Sequence, residues 1–187
     1  MLLAHHCLLR TSELCKLTFE NVLVDRNSGV LRLLETKSGQ RLGCDEGVVI
    51  TDSKILGLLR WIQSKAGNNE RVMGLEVGAF RRLFSIALDE MGLTNVGFKP
   101  YSLRRGGATS LFRSTRNLPY VVVRGRWASA RTARIYILEA VASLTQQKLS
   151  DNQHDLFTRS VDELSAFAEY ISKPERGCVE GRARFLL

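Results

Sequence analysis

The spacing of hydrophobic residues changes along this chain, and this change constrains its fold more than any other feature. Between positions 19 and 50 the pattern is short and alternating, which is typical of strands. After position 50 the apolar residues recur about every 3.6 positions, as in amphipathic helices. We therefore predict an α+β fold, mostly helical, with a small antiparallel sheet at about residues 19–50. The predicted strands are Phe19–Asp25, Val30–Thr36 and Arg41–Ile50, with a hairpin tip at Lys37–Gln40.

Helices are predicted on both sides of this sheet. The first runs from Leu2 to Leu17, where the leucines fall near one face. The clearest stripe lies between Phe80 and Met91 and ends at Gly92, a residue type that favours the end of a helix. Five more helices are predicted. One follows a cap at Thr51, Asp52 or Ser53, a second extends from about Ser102 to Phe112, and a third starts near Pro119. A fourth starts at Ser129 and carries Tyr136, and the last extends from Val161 to Ile171.

The charge balance favours a polyanionic partner. The chain has 27 Lys and Arg residues against 19 Asp and Glu, a formal net charge of +8. A basic domain of this kind attracts nucleic acid, although a solvated basic surface would account for the charge equally well. No run approaches the roughly 20 apolar residues of a membrane span. The first ten residues have no basic region and too short an apolar run for a signal peptide.

The length of 187 residues fits one domain, which we expect to span residues 1–172. The polar, Gly-rich segment 173–187 is expected to be a disordered tail. The cysteine spacings match no zinc or redox motif, so reduced thiols in an intracellular protein are the simplest account. The cysteines are Cys7, Cys15, Cys44 and Cys178.

Four segments carry residues suited to phosphate chemistry, and each also has an ordinary structural explanation. Arg10 and Glu13 are neighbours on a helix, where an acid can fix a guanidinium or simply form a surface ion pair. Lys37 on a hairpin tip is usually just solvated, yet it could protonate a leaving oxygen. The glycines within 101–109 indicate close backbone approach. Segment 124–136 interleaves arginines with aromatic residues, a pattern that suits nucleic acid. The arginines predicted to contact DNA are Arg105, Arg124, Arg126 and Arg131.

The order and spacing of these segments resemble those of the tyrosine recombinase, or phage integrase, family. Residues 10–14 (RTSEL) resemble its first arginine box, and residues 35–39 (ETKSG) resemble the segment of its hairpin lysine. Residues 101–109 (YSLRRGGAT) resemble its second arginine box. The nine-residue step from Trp127 to Tyr136 fits the step from its third His or Trp to its nucleophilic Tyr. The resemblance covers about residues 2–145, and the Tyr-x-x-Arg-Arg-Gly-Gly form is more similar to recombinases of eukaryotic mobile elements.

The resemblance implies a specific chemistry, DNA strand cleavage and rejoining through a 3′-phosphotyrosyl intermediate. Tyr136 would attack the scissile phosphate, and Lys37 would protonate the departing 5′ oxygen. Arg10 and Arg104 would bind the non-bridging oxygens, and Trp127 would donate its indole N–H to one of them. The remaining implied site residues are Glu13, which would orient Arg10, and Tyr101, which could hydrogen-bond a phosphate. Double-stranded DNA would be the partner, with no metal or other cofactor. The compartment would be the nucleus in a eukaryote and the cytoplasm otherwise.

Several departures from the family pattern leave alternatives open. The family usually has His at the position of Tyr101 and again at that of Arg105, and Arg126 separates Gly125 from Trp127. A further helix and an N-terminal DNA-clamping domain precede the first arginine box in the family, so we expect an N-terminally truncated catalytic domain. The main alternative is a non-catalytic DNA-binding remnant of a mobile element. A type IB topoisomerase and a protein-interaction domain are the others. The last predicted helix could bind a second copy on DNA or pack within the chain.

Overall fold

The computed structural model describes residues 1–34, 36, 39 and 43–172. These residues form an α+β fold that is mostly helical and contains a small antiparallel sheet, as the hydrophobic pattern predicts. The predicted hairpin tip, apart from Gly39, lies outside the described residues, and so does its Lys37. The predicted tail 173–187 also lies outside them. Among the described helices none is both long and apolar enough to cross a membrane.

The sheet has three strands, β1 (Val22–Val24), β2 (Gly29–Leu33) and β3 (Glu46–Ile50), paired antiparallel in chain order. One face is buried, because period-two alternation turns a single set of side chains inward. The side chains that face the core from β2 and β3 are Leu31, Leu33, Val48 and Ile50. The first strand is shorter than predicted, since Phe19–Asn21 form a 3-10 turn. The N–H groups of Phe19 and Glu20 bond to the carbonyl oxygens of Glu70 and Asn68, so they do not join the sheet.

The first predicted helix is wrong, because two short helices replace it. These are α1 (Leu2–His6) and α2 (Thr11–Lys16). Leu8, between them, has a φ of 50°, a left-handed conformation that a continuous helix does not allow. The break directs two adjacent buried leucines into different clusters. Leu9 packs with the sheet and its flanking helices, while Leu8 packs with Ala108, Val121 and Trp127.

Two predicted helices next to the sheet are confirmed as α3 (Ser53–Gln63) and α4 (Val77–Glu90). Of the three candidate caps, Asp52 caps α3, since its Oδ1 accepts a hydrogen bond from the Ile55 N–H at 2.9 Å. Helix α4 ends next to Gly92, whose φ of 62° suits glycine. Both helices contribute apolar side chains to the core that covers the inner face of the sheet.

The helix predicted from Val161 to Ile171 belongs to a longer one, α9 (Asp151–Ser172), which packs along α3. The rings of Trp61 and Phe167 meet edge to face with centroids 5.6 Å apart. Ala168 is buried at this contact, whereas Val161 stays largely exposed. Part of the predicted stripe therefore packs within the chain. Binding of this helix to a second copy stays a prediction.

Four further helices build the second half of the chain. They are α5 (Pro100–Thr115), α6 (Leu118–Arg124), α7 (Ala130–Arg134) and α8 (Glu139–Gln147). Helix α5 packs against α1 at Gly107, where a Cβ atom would overlap the carbonyl oxygen of His5. The close backbone approach predicted from the paired glycines is therefore confirmed.

Tyr136 does not lie on a helix, so that prediction is wrong. Ser129 caps α7 as predicted, but the helix ends at Arg134. The Tyr136 N–H then bonds three residues back, to the Ala133 carbonyl oxygen at 2.9 Å, in the tighter turn common at helix ends. Tyr136 thus lies in the short turn that connects α7 to α8.

Candidate active site

The first arginine box forms the start of α2, where Arg10 and Glu13 contact each other. The backbone N–H of Arg10 donates to Glu13 Oε2 at 2.8 Å, a bond that caps the helix. The Arg10 guanidinium also donates to Glu13 Oε1. The side chain of Glu13 is only 7% exposed, while that of Arg10 is 30% exposed. Glu13 is therefore a buried anion that holds a partly exposed cation, as predicted.

Arg104 enters the same region from α5 and is almost completely buried. Its Nη1 donates to the Leu8 carbonyl at 2.5 Å, and its Nη2 donates to the Gly125 carbonyl at 2.6 Å. Its Nη1 lies 3.7 Å from Glu13 Oε2. Burial, and then the positive charge of Arg126, lower the pKa of Arg104 to about 10, so it stays charged at neutral pH. The break after α1 positions the Leu8 carbonyl that accepts from this guanidinium.

Arg126 completes the set of cations around Glu13. Its Nη2 donates to Glu13 Oε2 at 2.6 Å, and its Nε lies 3.3 Å from Glu46 Oε2. Its side chain is 5% exposed and points into the protein. This orientation does not suit the DNA contact predicted for it. We call the group of Arg10, Glu13, Glu46, Arg104 and Arg126 the Glu13 cluster.

The charges of the cluster shift the titration of its central acid. Burial alone would raise the pKa of Glu13, but Arg126, the Arg10 N–H, and the charges of Arg10 and Arg104 together lower it below its usual value. Glu13 is therefore ionised at neutral pH. A buried carboxylate needs such partners, because moving an isolated charge from water into a protein costs on the order of several kcal/mol, even after the protein relaxes around it.

Three aromatic rings extend the cluster from Arg104 toward solvent. The Arg104 guanidinium carbon lies 4.9 Å from the Trp127 ring centroid and 6.0 Å from that of Tyr136. The Trp127 and Tyr136 centroids are 4.8 Å apart, and those of Tyr136 and Tyr101 are 5.6 Å apart. Such distances are typical of favourable cation–π and ring–ring contacts. Burial, and then the neighbouring phenol of Tyr136, raise the pKa of Tyr101 to about 12.

The indole of Trp127 is packed tightly but its N–H is unused. Trp127 is 8% exposed, and its ring lies so close to Gly125 that any Cβ there would overlap it. Its Nε1 is buried and has no hydrogen-bond partner among the described residues. A buried N–H without an acceptor is costly and is uncommon in folded proteins, so this donor is an unusual feature of the site.

Two residues of the site, Thr109 and Glu46, were not predicted from the sequence. Thr109 Oγ1 lies 3.3 Å from the Tyr136 carbonyl oxygen and accepts a hydrogen bond from the Leu138 N–H at 3.1 Å, so it holds the turn that carries Tyr136. Glu46 accepts from Thr36 Oγ1 at 2.6 Å and thus connects Arg126 to the residue before Lys37. The second arginine box includes Thr109 and could have indicated it. Nothing local indicates Glu46, because its partner, Arg126, lies 80 positions later in the sequence.

The structure brings together five of the six predicted catalytic residues, Arg10, Tyr101, Arg104, Trp127 and Tyr136. The sixth, Lys37, lies outside the described residues. The predicted DNA contacts are more scattered. Arg131 is exposed and Arg105 is half-buried, whereas the guanidinium of Arg124 donates to the carbonyls of Val49 and His6.

A cleft of about 690 Å³ opens beside the cluster, between α2 and β2, and shares Arg10 and Glu13 with it. Its other charged lining residues are Lys16, Glu20, Arg32 and Arg71. Two of these arginines form exposed ion pairs, Arg32 with Asp45 at 2.7 Å and Arg71 with Glu76. An exposed ion pair of this kind contributes little to stability, about 0–1 kcal/mol, so its arginine can readily leave the carboxylate for another anion.

No protein-family model matches the chain, and no curated protein is significantly similar to it.

Proposed function

We propose that this protein cleaves and rejoins DNA strands as a tyrosine recombinase catalytic domain does, with Tyr136 as its nucleophile. The observation that carries the proposal is the convergence of three distant segments on one site. Arg10, Arg104 and the segment with Trp127 and Tyr136 are far apart in the sequence, yet their side chains contact one another directly or through Glu13. An ordinary core does not need two arginines, a buried carboxylate and an unpaired indole N–H at one place.

The proposed reaction transfers a phosphoryl group between two oxygens. The phenolic oxygen of Tyr136 forms a bond to phosphorus, the bond from phosphorus to the 5′ oxygen breaks, and that oxygen gains a proton from Lys37. The proton of Tyr136 passes to water, which is reachable because this side chain is only half-buried. The phosphotyrosyl bond conserves the energy of the phosphodiester, so the reverse steps rejoin the strand. Catalysis of such a transfer depends mainly on positioning and on charge stabilisation.

Three features of the site suit the charge that gathers on the phosphate oxygens. Arg10 is partly exposed and fixed by Glu13, so its remaining donors can reach a ligand. The unpaired Trp127 N–H lies beside the ring of Tyr136. Tyr101, with its raised pKa, stays a neutral phenol near pH 7 and can donate a hydrogen bond, but it cannot act there as a base.

A covalent-trapping experiment tests this proposal. The protein is incubated with a pool of nicked DNA duplexes of varied sequence, whose cleavage releases a short fragment and prevents rejoining. The wild-type chain should give a DNA–protein complex that survives a denaturing gel. Tyr136→Phe should abolish it, because the phenolic oxygen is the attacking atom. Tyr170→Phe, which changes an exposed phenol on α9, is the matched control and should keep it. An adduct that persists in Tyr136→Phe, or no adduct from any substrate, would refute the proposal.

A second candidate function, DNA binding without cleavage, is favoured by one observation. Arg104 is 1% exposed and already donates to two backbone carbonyls, which is also how a purely structural arginine behaves. Such a remnant would bind DNA in a salt-dependent way through its surface cations and form no adduct. The trapping experiment, combined with a binding measurement on the same duplexes, separates the two functions.

A further inference from the structure

Arg126 occupies a backbone position that ordinarily favours glycine. Its φ is 56°, in the left-handed region, where a side chain costs about 1–2 kcal/mol relative to the right-handed conformation. Gly125, directly before it, has an ordinary helical φ of −84°. The chain thus carries a strained arginine where a glycine would be free of strain. Strain of this kind persists only where the surrounding contacts over-determine the conformation.

The contacts of Arg126 account for that strain. Its guanidinium lies between two carboxylates from different elements, with Nη2 2.6 Å from Glu13 Oε2 on α2 and Nε 3.3 Å from Glu46 Oε2 on β3. Its nitrogens also lie 3.4 Å from the carbonyl oxygens of Cys7 and Leu8. The side chain is 5% exposed. Every one of these partners belongs to the protein.

Each carboxylate leads on to a different part of the proposed active site. Glu13 contacts both Arg10 and Arg104. Glu46 accepts a hydrogen bond from Thr36, the residue before Lys37 in the sequence. Arg126 therefore connects Arg10 and Arg104, through Glu13, to Thr36, through Glu46, and it is adjacent in sequence to Trp127. Its removal would leave two carboxylates facing each other without the cation between them.

We propose that Arg126 is a positioning residue, which holds Glu13 in place for the two site arginines and Glu46 in place for Thr36, and which does not itself contact DNA. This inference rests on the proposed function, since positioning is defined relative to that reaction. The groups that face Glu13 are Arg10 from its own element, Arg104 from α5 and Arg126 from the loop after α6. Of these, Arg126 has the largest lowering effect on the pKa of Glu13, which agrees with its position.

Two measurements on Arg126→Gln separate positioning from DNA contact. The first is the salt dependence of DNA binding, because each phosphate contact contributes about 0.9 to the slope of log K against log salt. The second is the rate of adduct formation in a single turnover. We expect an unchanged slope and a rate at least about tenfold lower, a loss typical of a disturbed catalytic geometry. Arg159→Gln, which removes the same charge from an exposed arginine on α9, is the matched control and should leave the rate unchanged.

Conservative variants keep the test decisive if Arg126→Gln fails to fold. Arg126→Lys keeps the charge near Glu13 but cannot reach both carboxylates, so its rate should fall between those of wild type and Arg126→Gln. Glu46→Gln should lower the rate with an unchanged salt slope. The inference is overturned if the slope falls by about 0.9 in Arg126→Gln, as for a direct phosphate contact. It is equally overturned if Arg126→Lys and Glu46→Gln react at the wild-type rate.

A readout on the free protein distinguishes failure of this inference from failure of the proposed function. The titration of the Glu13 carboxyl carbon is followed by ¹³C NMR without DNA. Its pKa should rise in Arg126→Gln and return toward the wild-type value in Arg126→Lys. If wild type forms no adduct while these shifts occur, the recombinase proposal fails and the role of Arg126 in holding Glu13 stands. If the pKa of Glu13 is the same in all three proteins, the positioning role fails.

Discussion

Replacing Glu13 by Gln should destabilise the folded protein more than almost any other change of one charge. Gln keeps the size of Glu and can still accept the capping hydrogen bond from the Arg10 N–H, so the variant removes charge while keeping the cap. Two buried guanidinium groups, those of Arg104 and Arg126, would then lose the carboxylate between them. The change therefore isolates the contribution of a buried anion.

The magnitude follows from the burial of the three groups. Their side chains are 7%, 1% and 5% exposed for Glu13, Arg104 and Arg126. Breaking a buried pair by removing one partner costs about 3–5 kcal/mol, because the remaining charge stays desolvated. The pair with the partly exposed Arg10 adds little, about 0.2–1 kcal/mol. In a domain of this size, where about 1 kcal/mol shifts Tm by about 2–4 °C, the expected fall in Tm is about 6–20 °C.

The assay is equilibrium unfolding in urea and by heat, followed by circular dichroism. Glu20→Gln, which changes an exposed acid in the 3-10 turn after α2, is the matched control and should stay within about 0.5 kcal/mol of wild type. A Glu13→Gln variant within about 1 kcal/mol of that control would refute the argument. Such a result would mean that water or relaxation solvates both guanidinium groups.

The effect should also depend on pH in a definite direction. The pKa of Glu13 is lower in the folded protein than in the unfolded chain, so its ionisation stabilises the fold above the unfolded value of about 4.3. That contribution is lost as the pH falls through the folded pKa, where Glu13 becomes protonated. The stability difference between wild type and Glu13→Gln should therefore be full at pH 7 and shrink at low pH. A difference that stays constant down to pH 2 would contradict this cause.

Two further changes test packing and backbone strain. Gly125→Ala should destabilise the protein by about 1–3 kcal/mol, because the new methyl group would overlap the Trp127 ring. Chemical denaturation and a red shift of the tryptophan emission measure this effect. In the control Gly78→Ala, the nearest atom to the new methyl group is 3.9 Å away, so the stability should be unchanged or slightly higher. Arg116→Gly should raise the stability by up to about 1 kcal/mol, since Arg116 ends α5 with a φ of 50° that glycine adopts freely. Arg116 also forms an exposed ion pair with Glu139 at 3.3 Å, and a lower Tm than wild type would show that this pair contributes more than the strain costs.

The parts of the fold that the sequence predicts are those with local causes. Helix α4 follows from its own stripe and from the left-handed Gly92 at its end. The break between α1 and α2 has no such signal, because Leu8 is a residue type that rarely adopts a positive φ. Only the separate burial of Leu8 and Leu9 in two clusters accounts for it. The end of α7 before Tyr136 likewise depends on Thr109, a residue of another helix.

In the candidate site, too, the contacts that the sequence predicts are those between residues close together in the chain. Arg10 and Glu13 could be paired from their spacing alone, and the structure confirms the pair. The ring contact between Trp127 and Tyr136 could be expected only from the family resemblance, because eight residues of turn and short helix lie between them. The orientation of Arg126 could not be predicted at all. Its two carboxylate partners come from distant segments. In the sequence alone, an arginine beside an aromatic residue is equally consistent with an exposed cation that contacts nucleic acid.

If the Glu13 cluster binds an anion as proposed, its composition would set the charge of that anion. Its three guanidinium groups and two carboxylates leave a single excess positive charge in a region largely closed to water. A singly charged anion, such as a phosphodiester, would bring this region to electroneutrality. A terminal phosphate, with a charge near −2 at neutral pH, would leave an unbalanced negative charge there. In the proposed function, the buried acids would therefore favour a singly charged ligand, a preference that a cluster of arginines alone would not have.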